Sequence, residues 1–161
     1  MKNDRVFLVF MAVLLSLLVL AACNRQEEAL DSSSSIVVTV YKSPTCGCCG
    51  GWIEHMRNAG FEVREVNISS SALLQVKDKY GVPYELRSCH TAVVGDYVVE
   101  GHVPPEEVQR LLAERPAVKG IGVPGMPLGS PGMESPDGTV QPYTVYAFDQ
   151  TGNMQPVAQY P

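Results

Sequence analysis

Three cysteines fall within four residues in Thr45-Cys46-Gly47-Cys48-Cys49-Gly50-Gly51, and the segment lies between two strongly patterned stretches. Before it, Ile36-Val37-Val38-Thr39-Val40-Tyr41 is rich in β-branched residues and reads as a buried strand, which Ser43-Pro44-Thr45 breaks. After it, Trp52, Ile53, Met56 and Ala59 recur at helical spacing, so a helix is expected from around Cys48–Gly51 to Asn58, with Gly60 as its terminator. The thiols therefore belong at a strand-to-helix junction. Free backbone N–H groups and the positive end of a helix favour thiolate there.

The pattern continues in the same style. Phe61 to Val66 alternates apolar and polar, as a strand does. Ser69 to Ser71 can cap a second helix with Leu73, Val76 and Tyr80 inward, closed by Gly81. Thr91–Val94 and Tyr97–Glu100 read as a hairpin around Gly95-Asp96. Pro104-Pro105-Glu106-Glu107 opens a third helix, with acids at its positive end and Val108, Leu111 and Leu112 inward. The order β-α-β-α-β-β-α predicts an α/β domain of thioredoxin-like type, a mixed four-stranded sheet flanked by helices.

From about residue 116 the texture changes. Residues 120–138 are rich in glycine and proline and show neither period. Tyr143–Phe148 is a further strand, Asp149–Asn153 a turn, and Met154–Val157 a segment that can pair back. About 45 residues with one strong strand are too few for a separate core, so this extension is assigned to the same domain, 36–161.

The first 22 residues read as an address. Lys2 and Arg5 precede an apolar run, Val6 to Leu20, interrupted only by Ser16; the run suits a secretory leader and is short of the roughly 20 residues a spanning helix needs. It ends in Leu20-Ala21-Ala22-Cys23, which resembles the bacterial lipobox, with Cys23 as the lipidated residue and membrane anchor. Asn24, not Asp, follows; the resemblance to lipoproteins implies that this does not favour inner-membrane retention, so the outer membrane is slightly favoured over the inner. Residues 23–35, with Glu27, Glu28, Asp31 and four consecutive serines, read as a flexible tether.

Composition narrows the function. Of the 161 residues 45% are hydrophobic and 18% charged, which excludes a wholly disordered chain. The formal charge is −5 with no basic block, so no nucleic-acid partner is expected. Five cysteines are too few for a disulfide scaffold and enough for one site. The fourth thiol of that site is Cys89 in Ser88-Cys89-His90-Thr91, just before the hairpin. In a thioredoxin-like sheet that loop neighbours the first strand–helix junction, so Cys46, Cys48, Cys49 and Cys89 converge.

Three chemistries compete for these thiols. Cys46-x-x-Cys49 has the spacing for thiol–disulfide exchange, but an exchanger needs neither Cys48 nor Cys89. A structural disulfide between such near neighbours closes a tiny loop and constrains little. Soft-metal binding uses all four, since thiolates select Cu(I), zinc or iron–sulfur clusters. The spacing matches neither common ferredoxin pattern. Adjacent Cys48 and Cys49 diverge awkwardly for a single zinc, whereas thiolates bridging several Cu(I) ions tolerate that divergence. Copper, more than one ion per chain, is preferred to zinc.

Several stretches together resemble a known family. Tyr41 to Trp52, Ser88 to Ala92, Val99 to Pro104, Gly122 to Met126 and Gly129 to Met133 are similar to the CopG-type copper-resistance proteins. The resemblance spans about residues 36–150. It implies a thioredoxin-like fold, a periplasmic location and a cysteine-bridged copper cluster on Cys46, Cys48, Cys49 and Cys89. It also implies a role in copper tolerance, through Cu(I)/Cu(II) conversion, with periplasmic copper-handling proteins as partners. Redox conversion and simple carriage would use the same ligands and differ in turnover.

Further ligands are candidates. His102, in Glu100-Gly101-His102-Val103-Pro104, can add a nitrogen suited to Cu(II). His90 adjoins Cys89, although neighbours within a strand point to opposite faces. Met126 and Met133, in the Gly/Pro-rich loop, carry thioethers that suit Cu(I) and equally suit gap-filling. His55, among Glu54, Arg57 and Asn58, reads as a surface residue.

Overall fold

A computed structural model describes residues 35–161, which form one compact unit. The leader, Cys23 and all but the last residue of the tether lie outside the described residues. The element order is β1 (Val37–Lys42), α1 (Gly47–Asn58), β2 (Glu62–Asn67), α2 (Ser70–Lys79), a 3₁₀ turn (Tyr84–Leu86), β3 (His90–Val94), β4 (Tyr97–Glu100), α3 (Pro105–Glu114), β5 (Gly120–Gly122), β6 (Tyr143–Phe148) and β7 (Met154–Tyr160). The class is α/β, as the sequence pattern implies.

The expected four-stranded sheet is instead seven-stranded among the described residues, in the order β2-β1-β3-β4-β5-β6-β7. β1 pairs parallel with β2 and antiparallel with β3, and β3–β4 is the expected hairpin. The extension then continues the sheet from the free side of β4, through parallel β5 and antiparallel β6 and β7. The physical reason is that β4 would otherwise present an unpaired row of backbone groups. Three residues suffice to cover it because Gly120 approaches closely: a Cβ there would lie 2.1 Å from the Val98 carbonyl oxygen. The two rims of the sheet differ. β2 carries Glu62, Arg64 and Glu65, while β7 has Pro156 opposite Tyr146 at a register shift.

Both faces of the sheet are covered. On one face Trp52, Ile53 and Met56 of α1 and Val108 and Leu111 of α3 pack with Val38, Val40, Ala92, Val94 and Val99. Each such side chain, fully buried, contributes about 1.5–3 kcal/mol. On the other face Val82 and Leu86 pack with Val98 and Phe148, beside α2. α2 begins at Ser69, whose hydroxyl accepts from the Ala72 N–H at 3.2 Å, as a cap should. α3 starts with Pro105 and the acids Glu106 and Glu107. Within α2 the inward face departs from the expected one: Leu73 is buried, Val76 only half so, and Lys77 is buried instead.

Candidate metal centre

Four chain segments leave the sheet at one end, and register explains why. Lys42 of β1 pairs with His90 of β3, so the β1–α1 turn and Cys89 emerge side by side. Thr91 pairs with Glu100, so His102 lies just beyond the same end. Glu100 pairs in parallel with Gly122, which sends the 123–134 loop there as well.

α1 starts one residue earlier than expected, with Cys46 at its N-cap position and no side-chain capping bond. Its first N–H groups therefore have no side-chain cap. Cys46 and Cys49 are joined as a disulfide, with Cα atoms 5.4 Å apart, while Cys48 and Cys89 are free. The Cys48 sulfur lies 3.6 Å from that of Cys46 and 3.8 Å from that of Cys89; Cys49 and Cys89 are 3.5 Å apart. All four sulfurs lie within 4.8 Å of one another. The three cysteines of the junction and the distant Cys89 are thus brought together. A groove lined by Thr45, Cys46, Leu73, Leu74, Ser88 and Cys89 opens onto them.

Two imidazoles complete the cluster. His102 Nε2 lies 3.1 Å from the Cys89 sulfur, and its Nδ1 is 2.8 Å from the carbonyl oxygen of Pro131. A carbonyl can only accept, so Nδ1 carries the hydrogen and Nε2 turns its lone pair toward the sulfur. His90 Nδ1 is 3.4 Å from the same sulfur. Strand alternation does not turn His90 away from Cys89, because Cys89 precedes β3 and has loop backbone. His90 is fully buried against Trp52, with ring centres 4.5 Å apart, and its Nε2 has no hydrogen-bond partner among the described residues. Burial holds the His90 ring well below its ordinary range, aided by His102 and Lys77. Burial likewise lowers His102. Both rings are therefore kept neutral, the form that ligates metal. Burial, followed by the adjacent Cys48, pushes the Cys89 thiol up to about 12.

The loop carrying the methionines is brought to this end. The Gly125 carbonyl accepts from Ser88 Oγ at 2.5 Å, and Gly132 lies against the first turns of α1. Met126 is half exposed and Met133 half-buried. Glu134 ties the loop down, accepting from the Gly132 N–H at 2.9 Å and meeting His55 Nε2 at 2.6 Å. His55 is on the surface as expected, with this partner.

Sequence reasoning missed the support beneath Cys89. Lys77 Nζ meets Glu100 Oε1 at 2.5 Å and the Thr91 hydroxyl at 3.0 Å. Glu100 in turn accepts from the Ser88 N–H at 2.7 Å and from the Thr91 hydroxyl at 2.7 Å. Burial raises the Glu100 carboxyl, opposed by Lys77, the Ser88 N–H and Thr91. Nothing in the spacing of Lys77 and Glu100 announces this pair. Missed too was Trp52 Nε1, which donates to the Val103 carbonyl at 2.8 Å and so anchors the segment that follows His102.

The donor set suits a soft metal: sulfur pairs 3.5–3.8 Å apart match thiolates sharing an ion at about 2.3 Å, with neutral nitrogen beside them. Ligation by all four thiols requires the Cys46–Cys49 bond to be reduced.

Comparison with known proteins agrees with this picture. Residues 86–133 match a family model described as a protein of unknown function, DUF411. Among curated proteins no sequence match was found. Two solved structures, of copper resistance protein CopG in forms 2 and 1, are each 39% identical and cover 79% of this chain, with TM-scores of 0.72. The match takes in 99% and 98% of those chains respectively, so it is a whole-protein likeness. On that identity over nearly their full length, the chain belongs to the family of the copper resistance protein CopG.

Proposed function

We propose that this protein holds Cu(I) in a cysteine-bridged cluster on Cys46, Cys48, Cys49 and Cys89, more than one ion per chain, and contributes to copper tolerance. The observation that carries the reading is the meeting of four sulfurs within 4.8 Å beside the inward-facing His102 Nε2. The relatives' description as copper resistance proteins supports copper over zinc. Soft thiolates hold Cu(I), and the neutral imidazoles of His102 and His90 supply the harder donors that Cu(II) prefers. Bound copper would supply one-electron chemistry; the protein's part is to hold both ligand types in one shielded place. Met126 and Met133 are further candidate ligands at the loop. The work is placed on the periplasmic side of a bacterial envelope, outer membrane favoured, with Cys23 as lipid anchor and 23–35 as tether.

The test is copper content per chain with a free-thiol count, on reduced protein lacking residues 1–23 and loaded anaerobically with Cu(I). More than one copper per chain with all four thiols protected is expected, and Cys48→Ser should lower the stoichiometry. Undiminished loading in that variant would sink the cluster.

A second reading, a thiol–disulfide oxidoreductase using Cys46 and Cys49, is favoured by their disulfide. It leaves Cys48, Cys89 and the two histidines without a task. The Cys89 thiol, 3.5 Å from Cys49 and raised to about 12, is a poor attacking thiolate at neutral pH. This reading predicts no tightly held metal and disulfide-reducing activity that survives Cys48→Ser and is abolished by Cys49→Ser.

A further inference from the structure

Cys89 is the hub of the site, within 4 Å of Cys48, Cys49, His90 and His102, yet it rides on a short loop with loop backbone of its own. Something must hold that loop at the sheet end. The Ser88 side chain is tied upward, its hydroxyl donating to the Gly125 carbonyl. Its backbone N–H is tied downward, to a carboxylate that is itself fully buried. A buried carboxylate is costly unless paired, and Glu100 is paired by Lys77, only 3% exposed, and by the Thr91 hydroxyl. Every one of these groups comes from a different element: Lys77 from α2, Thr91 from β3, Glu100 from β4. The arrangement clamps the loop to three elements at once, on the sheet face opposite the aromatic packing of Trp52.

We propose that Glu100 is a positioning residue for the metal centre: held by Lys77 and Thr91, it grips the Ser88 N–H and so fixes the Cys89 sulfur where the other ligands converge. The proposal rests on the metal-binding reading for its consequence in copper affinity, but the fixing of Cys89 is measurable without metal. Losing a group that orients a ligand from behind typically costs about 10–100-fold in metal affinity.

Single substitutions strand a buried charge, so charge-neutral pairs are compared. Lys77→Met with Glu100→Gln removes both charges and keeps a carbonyl oxygen for the Ser88 N–H. Lys77→Met with Glu100→Leu removes the acceptor as well. The Gln pair should bind Cu(I) within about threefold of the parent protein, and the Leu pair should bind about 10–100-fold more weakly. In the reduced, metal-free protein, peptide-resolved alkylation should show Cys89 reacting at an altered rate in the Leu pair and at the parental rate in the Gln pair, with Cys48 alike in both. Equal copper affinity and equal Cys89 alkylation in the two pairs would overturn the proposal. A parent protein that binds no copper would refute the metal reading, and the alkylation comparison would still decide the positioning role. If the Leu pair lacks a sharp thermal transition, Thr91→Val decides: it removes one donor to Glu100, a changed Cys89 alkylation rate supports the clamp, and an unchanged rate overturns it.

Discussion

The segment from Val37 to Lys79 and the extension from Pro116 to Pro161 meet at the same end of the sheet with different duties. The first supplies three of the four thiols, with Trp52 and Lys77 bracing the site from behind. The second supplies no thiol, yet its Pro131 carbonyl sets the His102 tautomer, its Gly125 carbonyl holds Ser88 and its Gly132 seals the first turns of α1. The lesson is that ligand-bearing residues and the residues that aim them can belong to different parts of a chain. A short motif identifies the first kind and says little about the second.

The strongest way to break this division is to remove the extension. A chain ended after Arg115 loses β5, β6 and β7, uncovers the β4 edge and strips Ile121, Val123, Val145 and Ala147 from the main core. It is expected to lose cooperative unfolding in denaturant, because each lost buried side chain forfeits about 1.5–3 kcal/mol and several are lost together. A sharp transition in that chain would show the first segment to be self-sufficient.

A smaller effect is expected from Gly132→Ala. At φ +83 a Cβ would lie 2.4 Å from the Trp52 backbone nitrogen and 2.6 Å from the Cys48 carbonyl oxygen, both rigid backbone atoms. The loop must lift, at about 2–4 kcal/mol, measured by equilibrium unfolding of the reduced protein, with Cys48 alkylating faster. No loss of stability would show that the loop does not seal α1.

The smallest effect is confined to the extension. Asp149 accepts from the Thr151 and Asn153 backbone N–H groups in the β6–β7 turn. The Thr151 hydroxyl and the Asn153 amide hold its carboxyl down to about 2, against an ordinary 3.8. Its folded-state value is the lower one, so the turn's contribution is complete above about pH 4 and fades as pH falls through about 2. Protection of the Thr151 and Asn153 amides, measured against the intrinsic exchange rate at each pH, should fall over that window. In Asp149→Asn that acid-linked loss of protection should vanish.

How much of this was legible in the sequence follows the same division. The elements from β1 to α3 announce themselves because each has a clear period and a cap or breaker, as at Ser69, Gly81 and Pro105. β5 does not: Gly120-Ile121-Gly122 has no pattern, since Gly120 lets the backbone near Val98 and Gly122 lets it near Glu100, rather than building a face. β6 is plain from Tyr143 to Phe148, and β7 is only half plain because Pro156 interrupts it. At the site, the junction thiols and Cys89 are visible as residues. The neutral pocket around His90 is not, because it depends on Trp52 packing from another element. Lys77 is the clearest illegible case: helical spacing put Val76 inward, and the buried Glu100 on β4 drew the lysine in instead.

The unlike rims of the sheet bear on life in a crowded compartment. A sheet open at both ends invites neighbouring molecules to add strands, and this one declines on each side by a different route. Along β2, Glu62, Arg64 and Glu65 put charges on the rim, while on β7 the ring of Pro156 removes a donor and the register shift bends the ladder. Each rim thus resists adding a strand by its own means.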